Sequence, residues 1–567
     1  MSTLPFTITA EQINSLPLLL GILEDMDIRQ IIDTHITPHG NWEGASIGTV
    51  LTLWLCHILI ERDHRLVCVR DWATARQQTI NALLPMTLRD TECSDDRLAT
   101  ILTLLGEPET QAALDRSLVQ RWVRVYHLPT ETVRLDSTSV SVYHDPDAPD
   151  SLLHLGHSKD HRPDVRQFKV MLATLDPLGM PLVCQVVPGN QADDRLYTPA
   201  YEAAVAALGT RALLVVGDSK MAALATRGHL VAGGSCYLCA YRPPSATADI
   251  AAWVEQALRR PTSWQVIETV DERTGEVIHL ADIDVWEREQ TYLDDVTHVA
   301  TSWTERVLLG RSAAYQAGLR RRREPALARV TTDLAQLWQP PKRGRKRYTS
   351  AAELEQVVAA RIERAGLSGI VQATVGEAPA PNGTSRWIVT GIWVDQMAWQ
   401  AMVERLGWQV YVTNTSETQY TAPALLDAYH DQPLLERGFG RLKTRNLHIR
   451  PLYVRDAVRI GGLTWLLCLA LRVLTLTEQR LRTALTEQQE ALAGLNPASR
   501  TQATTRPTTE RVLAAFDNLT LTMLEAPAGR QWHVTPLNGT QRHILSLLGL
   551  PPDLYARLTR HTANLGP

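Results

Sequence analysis

Apolar residues recur at every third or fourth position through the first part of the chain. This spacing is typical of helices that bury one face. The segments that show it are 16–32, 45–60, 65–75 and 97–125. The pattern therefore predicts a helical N-terminal domain over residues 1–128.

The period changes to two near residue 132, and such alternation is typical of strands with one buried face. Residues 133–143 alternate and place Asp136 inside a predicted strand. The predicted elements that follow are a strand at 168–176, a strand at 181–187, a helix at 198–208, a helix at 221–231 and a strand at 235–241. This succession predicts an α/β core.

A second acidic residue ends the most apolar of the predicted strands. The run ALLVVGD lacks alternation and finishes at Asp218. A strand of this kind is buried on both faces, so it is predicted to lie inside a mixed sheet. Ligand-binding groups of such sheets gather at the carboxyl ends of strands. Asp218 is therefore well placed for chemistry.

The remainder of the chain is less regular. Residues 243–407 have a mixed pattern, and this change of composition marks the boundary of a further domain. Beyond it the pattern predicts a strand at 408–413, a helix that contains Tyr429, an apolar helix at 461–476, a further helix to about 495, a polar linker at 496–509 and weak helices to 558.

Charge is segregated along the chain although the formal net charge is only −4. Between residues 320 and 347 there are ten Arg or Lys residues against Glu324 and Asp333. A local surplus of this size indicates a polyanionic partner for one surface. Nucleic acid is such a partner.

Other compositional features fit a protein of a reducing cytoplasm. The seven cysteines form no disulfide spacing, and the pair Cys236 and Cys239 lacks companions for a zinc site. The N-terminus has no secretory pattern. The apolar stretches at 49–60 and 461–476 are short for a bilayer, and the second contains Arg472. No membrane partner is expected.

The stretch YHDQPLLERGFGRLK, residues 429–443, carries a third acid. Asp431 and Pro433 predict a helix start. Glu436 and Lys443 are seven residues apart, two α-helical turns, so both are predicted on one face. The basic flanks suit a polyanion that runs past the carboxylate. A solvated amphipathic helix is the alternative interpretation.

Asp136, Asp218 and Glu436 together suggest metal-dependent chemistry. Converging carboxylates raise each other's pKa unless a cation lies between them. Mg²⁺ or Mn²⁺ accepts such oxygen ligands and leaves positions for water and phosphate. Two ions can activate an attacking oxygen and stabilise a leaving one. The inferred reaction is phosphodiester cleavage or transfer.

With these residues, the chain resembles a DDE transposase of a bacterial insertion sequence, in the branch with a Tyr-x₂-Arg-x₃-Glu-x₆-Lys signature. The matching motifs are RLDSTSV, VVGDSKMA and YHDQPLLERGFGRLK, with GHSKDHRPDVRQ and PGNQADD between them. The likeness covers roughly residues 10–480. Gln432 stands where the signature has Arg, so that phosphate contact is weaker or is supplied by Arg437 or Arg441.

The resemblance implies an α/β fold with an RNase H-like mixed sheet. It also implies a large insertion domain that contacts the transposon end, an N-terminal helical domain and C-terminal helices. The predicted domains are an N-terminal DNA-binding domain at 1–128, the first part of the catalytic core at 129–242, the insertion at 243–407, the second part of the core at 408–478 and a C-terminal helical region at 479–567.

The resemblance also implies roles for particular residues. Asp136 would bridge two Mg²⁺ or Mn²⁺ ions, and Asp218 and Glu436 would each hold one. The expected partners are double-stranded DNA, as terminal inverted repeats and as target, and a second copy of the chain in a synaptic complex. The residues predicted to bind DNA are Tyr429, Gln432, Arg437, Arg441, Lys443, Arg445, Lys342, Arg343, Arg345, Lys346 and Arg347.

Two other functions remain open at this point. One is an RNase H-like nuclease or resolvase that cuts DNA without joining it; the inserted domain and the terminal helices argue against it. The other is a domesticated DNA-binding protein. The presence of all three acids argues against that, because an uncompensated acidic pocket gives a binding module no advantage.

Overall fold

The structure is a computed structural model that describes residues 6–84, 86–143, 152–260, 264–270, 276–338, 348–379, 385–430, 432–496, 498–499, 501–527 and 529–561. The chain divides into two compact units. The first unit comprises Met1–Leu238, Tyr292–Thr301 and Asp427–Pro567, and the second comprises Cys239–Thr291 and Ser302–Leu426.

A strand and a run of helices begin the first unit. They are β1 (Thr7–Gln12), α1 (Leu16–Asp25), α2 (Ile28–His35), α3 (Ile47–Glu61), α4 (Leu66–Thr74), α5 (Gln77–Leu83), α6 (Asp95–Gly106) and α7 (Pro108–Tyr126). Two predicted helices are each divided. The first break lies at Asp27, which has a φ of 56°, and the second precedes Pro108. Proline starts a helix readily but cannot continue one, so α6 ends before it.

A mixed sheet follows these helices. Its elements in the first unit are β2 (Thr132–Val142), β3 (Arg166–Leu175), β4 (Met180–Pro188), α8 (Tyr197–Leu208), β5 (Leu214–Gly217), α9 (Leu224–Ala232) and β6 (Cys236–Ala240). The strand order is β4-β3-β2-β5-β6. Strand β2 pairs antiparallel with β3 and parallel with β5. The internal position predicted for the apolar strand at Asp218 is confirmed.

The second unit has its own core. Its elements, taken to the end of its last strand and apart from the residues of β8 and β9 within Tyr292–Thr301, which belong to the first unit, are α10 (Thr247–Arg259), β7 (Gln265–Val270), β8 (Val277–Leu293), β9 (Ala300–Ser312), α11 (Ala313–Ala335), α12 (Ala351–Arg364), β10 (Val371–Pro379), β11 (Ser385–Val394), α13 (Gln396–Glu404) and β12 (Trp408–Thr413). Helices α11, α12 and α13 enclose apolar residues with the β10–β11 hairpin. The predicted insertion at 243–407 overlaps this unit.

The signature segment is helical but not one α-helix. It is formed by α14 (Ala422–His430), α15 (Gln432–Gly440) and a π-helical turn at Arg441–Arg445. A π-turn has more residues per turn than an α-helix. The predicted spacing of two α-turns between Glu436 and Lys443 is therefore wrong, because Lys443 lies in the π-turn.

Helix α16 (Ala457–Glu487) is the central helix of the first unit. It is long and apolar enough to span a membrane, but 94% of its most apolar window is buried inside the protein. It packs closely on α6, since a Cβ at Gly462 would lie 2.1 Å from the Leu102 carbonyl oxygen. The predicted break near residue 476 is absent because neither Gly nor Pro interrupts residues 463–487.

Helix α16 also explains why the N-terminal helices belong to the same compact unit as the sheet. Its buried Arg472 pairs with Asp115 of α7 at 2.7 Å and donates to the Leu182 carbonyl of β4 at 2.8 Å. The Trp465 indole N–H donates to the same oxygen, Asp115 Oδ1, at 2.8 Å. One helix thus supplies core contacts to both regions.

The C-terminal region contains strands where only helices were expected. Its elements are β13 (Leu492–Ala493), β14 (Ala503–Thr504), α17 (Thr509–Ala514), β15 (Thr520–Ala526), β16 (Gly529–Val534), α18 (Gly539–Leu547) and α19 (Arg557–His561). Strand β15 pairs with both β16 and β1. The prediction failed because this sheet joins the two ends of the chain, and a local pattern does not record such pairing.

Candidate active site

Asp136 and Asp218 are neighbours on two parallel strands. Leu135 of β2 is in register with Gly217 of β5, and the two aspartates follow these residues directly. Adjacent strands lie about 4.8 Å apart. Both aspartates line one small cavity, together with Arg134, Leu135, Gly217, Tyr429 and Leu435. The sheet thus brings two of the three predicted acids together.

The Asp136 carboxylate is largely buried, with 17% of the side chain exposed. Its Oδ1 accepts hydrogen bonds from the Lys159 ammonium at 2.9 Å and from the Ser137 amide at 2.7 Å. Burial raises the pKa of Asp136, the Lys159 charge opposes that rise, and the charge of Asp218 adds to it. Ionised Asp136 therefore gains from a nearby cation.

Asp218 is held by a buried tyrosine. The Tyr197 hydroxyl donates to Asp218 Oδ1 at 2.6 Å, and the Lys220 amide donates to the same oxygen at 2.8 Å. Burial raises the pKa of Tyr197 well above its usual value, and the charges of Asp218 and Asp136 add to this rise. Tyr197 therefore stays a neutral donor that orients the carboxylate.

Glu436 lies beside the cavity but is not gathered with the aspartates. Its neighbour Leu435 is buried and lines the cavity, whereas Glu436 is exposed on α15. Among the described residues, no group of three or more His, Cys, Asp or Glu side chains is arranged to hold a metal ion. The structure thus brings Asp136 and Asp218 together and leaves the Glu436 carboxylate outside the pair.

Arg134 is a site residue that the sequence reasoning missed. It is buried two residues before Asp136, and its guanidinium pairs with Asp176 at 2.7 Å. It also donates to the backbone carbonyls of Ala428 and Tyr429, at the end of α14. Arg134 therefore ties the start of the signature segment to β2. An arginine two residues before Asp136 in a predicted strand is the signal that could have revealed it.

Lys443 contacts the loop that follows β2, the strand that contains Asp136. Its ammonium donates to Asp160 Oδ1 at 2.8 Å, and Arg450 donates to Asp160 Oδ2 at 3.1 Å. Burial lowers the pKa of Lys443, and the Asp160 carboxylate opposes this effect. Lys443 is thus already engaged with an anionic group of the protein itself.

The arginines of the signature segment make internal ion pairs. Arg437 lies 2.5 Å from Glu478, and Arg441 contacts both Glu478 and Glu510. Only 5% of the Arg441 side chain is exposed. The contacts of Arg441 are therefore those of a structural residue, and they leave its guanidinium no open face for a phosphate.

The remaining predicted DNA contacts are only partly described. The side chains of Gln432 and Arg445 lie outside the described residues, as do Lys342, Arg343, Arg345, Lys346 and Arg347. The other basic cluster, at residues 320–323, lies exposed on α11 of the second unit.

The central part of the chain matches a known protein family. Residues 128–473 match the family model described as a transposase DDE domain, which covers more than half of the chain. The chain belongs to this DDE transposase family. No curated protein matches the sequence. Family membership makes the chain an enzyme of the transposase or nuclease type that acts on DNA, and transposases of this family generally use divalent metal ions.

Proposed function

We propose that this DDE transposase mobilises an insertion sequence by a cut-and-paste reaction. It binds the terminal inverted repeats, cleaves phosphodiester bonds with Mg²⁺ or Mn²⁺, and transfers the resulting 3′-hydroxyl ends into target DNA. The observation that carries the proposal is the pairing of Asp136 with Asp218 in one cavity of the sheet. The proposed core is RNase H-like, and the proposed setting is the bacterial cytoplasm and its nucleoid.

The residues at the cavity fit a divalent cation. Asp136 is a buried carboxylate that already takes a positive charge, the Lys159 ammonium, at 2.9 Å. Hard carboxylate oxygens are the ligands that Mg²⁺ prefers. Asp136, Asp218 and Glu436 would hold two ions, which supply an activated attacking oxygen and a stabilised leaving oxygen.

The protein's own groups prepare the site for DNA. Tyr197 fixes Asp218 Oδ1, so the other carboxylate oxygen is available to the cavity. Arg134 holds the backbone at Tyr429, from which α15 carries Glu436 toward the same cavity. Glu436 completes the acidic set when DNA and cation are bound. Tyr429, Gln432 and Lys443 contact phosphates beside the scissile bond, and two copies of the chain join the two ends.

The test uses duplexes from the DNA that flanks the reading frame, with Mg²⁺ and the purified protein. We expect end cleavage, and we expect each of Asp136→Asn, Asp218→Asn and Glu436→Gln to slow it more than about 100-fold. Losing an outer-shell partner of a metal site already costs 10–100-fold. Asp164→Asn is the matched control, because Asp164 is an exposed carboxylate that pairs with Arg162.

The same reaction separates the rival functions. Cleaved ends are incubated with plasmid, and joined product is expected for a transposase. Cleavage without joining would identify a nuclease or resolvase instead. DNA binding with no cleavage under any divalent ion would identify a DNA-binding protein. Full activity in any one of the three acid variants would remove that residue from the site.

A further inference from the structure

Lys443 of the signature segment and Arg450 beyond it converge on one carboxylate. Lys443 reaches Asp160 Oδ1 at 2.8 Å and Arg450 reaches Oδ2 at 3.1 Å. The exposed fractions of the three side chains are 11% for Lys443, 27% for Arg450 and 24% for Asp160. The cluster is thus open to solvent on one side, unlike the Arg134–Asp176 pair, which is 4% and 6% exposed.

The residue before Asp160 makes the complementary contact. Lys159 donates to Asp136 Oδ1 at 2.9 Å and to the Ser137 carbonyl at 2.6 Å. Lys159 thus places a positive charge beside Asp136, and the next residue, Asp160, places a negative charge beside Lys443 and Arg450. In the proposed reaction, a metal cation takes the place of the Lys159 charge, and a DNA phosphate takes the place of the Asp160 charge.

We propose that Lys443 and Arg450 form a subsite for a DNA backbone phosphate, which the Asp160 carboxylate fills while DNA is absent. The inference rests on the proposed function and adds Arg450 and Asp160 to its DNA-binding surface. A carboxylate and a phosphodiester each present two oxygens to a guanidinium and an ammonium, so one can replace the other.

Charge balance supports the exchange. Lys443 and Arg450 together carry two positive charges against the single charge of Asp160. A phosphodiester cannot enter beside Asp160 without like-charge repulsion, so the loop that carries Lys159 and Asp160 moves away when DNA binds. That movement also withdraws the Lys159 ammonium from Asp136, which exposes the carboxylate to a cation.

The test measures binding of a short fluorescein-labelled duplex of random sequence by anisotropy, in EDTA and at several salt concentrations. We expect Asp160→Asn to bind about tenfold more tightly than the wild type, because the competing charge-assisted contact is lost. We expect Arg450→Gln to bind about tenfold more weakly and to lower the slope of log K against log salt by about 0.9, the value for one phosphate.

Matched controls remove the effect of net charge alone. Asp164→Asn makes the same change as Asp160→Asn, but at an exposed position of the same loop. Arg455→Gln makes the same change as Arg450→Gln, but at an exposed arginine nearby in the sequence. Both controls are expected to change affinity less than threefold, roughly the range of a surface charge. Thermal unfolding of every variant verifies that it is folded.

Two results would overturn the subsite. One is an Asp160→Asn protein that is folded and binds no more tightly than Asp164→Asn. The other is an Arg450→Gln protein with the wild-type salt slope, which decides the matter even if Asp160→Asn does not fold. Because EDTA prevents cleavage, these results are independent of the end-cleavage assay. A protein that binds as expected but does not cleave would contradict the proposed function and leave the subsite standing.

Discussion

Two groups of charged side chains anchor the segment from residue 432 to 450, and they differ in how completely they are buried. The structural cluster consists of Arg437, Arg441 and Arg482 with Glu478 and Glu510. Glu478 pairs with all three arginines, and Arg441 and Glu478 are only 5% and 4% exposed. These ion pairs hold the segment to α16 and α17.

The site cluster consists of Lys443 and Arg450 with Asp160, and of Lys159 with Asp136. Its carboxylates and cations are partly exposed, and Asp136 lies at the cavity of the sheet. Three cations face two carboxylates in both clusters, so the balance of charge does not distinguish them. What differs is solvent access, because no member of the site cluster is less than 11% exposed, and an incoming phosphate or metal ion requires such access.

The comparison shows that basic residues of one segment can have different surroundings. Arg441 is buried in ion pairs, whereas Lys443 lies in the partly exposed cluster that we propose to bind a phosphate. In the sequence, Arg441 and Lys443 are two residues apart and look equivalent. In the structure, the π-turn sends Arg441 to Glu478 and Lys443 to Asp160. Substitutions in the structural cluster should therefore change the free energy of unfolding, whereas substitutions at the site should change DNA binding or cleavage.

The largest expected effect is on stability, from the structural cluster. Glu478→Gln removes the buried charge that pairs with three arginines and should lower the free energy of unfolding by about 3–5 kcal/mol. Urea denaturation measures the change. Glu487→Gln, at an exposed position in the same helix, should change it by less than about 0.5 kcal/mol. Equal losses in both variants would show that Glu478 is not the centre of this cluster.

A smaller effect is expected on the rate of end cleavage, from a residue at the candidate active site. Tyr197→Phe removes the hydroxyl that orients Asp218 and should slow end cleavage about tenfold, since Asp218 Oδ1 keeps only the Lys220 amide. The Mn²⁺ concentration for half-maximal cleavage should rise as well. Tyr201→Phe is the control, because that buried hydroxyl bonds Ser235 instead. Wild-type kinetics in Tyr197→Phe would contradict the positioning role.

The smallest expected effect is the pH dependence of stability without metal. The pKa of Asp136 is raised in the folded protein. The folded state therefore keeps its proton to a higher pH than the unfolded state, and the free energy of unfolding falls as pH rises from the ordinary pKa of an aspartate through the raised one. Asp136→Asn lacks this contribution. Its stability relative to the wild type should increase over that window, and a constant difference would contradict the raised pKa.

The sequence predicted those helices and strands that depend on the pattern of apolar residues among near neighbours. Alternation around Asp136 and the apolar run before Asp218 predicted two strands, and the sheet places these residues side by side. Apolar spacing predicted the N-terminal helices, with errors at Asp27 and Pro108. These features depend on neighbours in the sequence, which is why they could be read from it.

The features that were missed depend on residues far apart in the chain. Asp160 and Lys443 are 283 positions apart, and β1 pairs with β15 across almost the whole chain. The π-turn that separates Arg441 from Lys443 has no pattern of its own. Whether a charged residue ends in a buried pair or at an open site is decided by such long-range packing.

The most direct test of the account is the position of Mn²⁺ in crystals of the protein bound to a cleaved DNA end, located by anomalous scattering. The account predicts metal peaks in the cavity of the sheet, at about 2.1 Å from oxygens of Asp136, Asp218 and Glu436. Peaks bound elsewhere, or a Glu436 carboxylate still remote from both aspartates in the DNA complex, would contradict it.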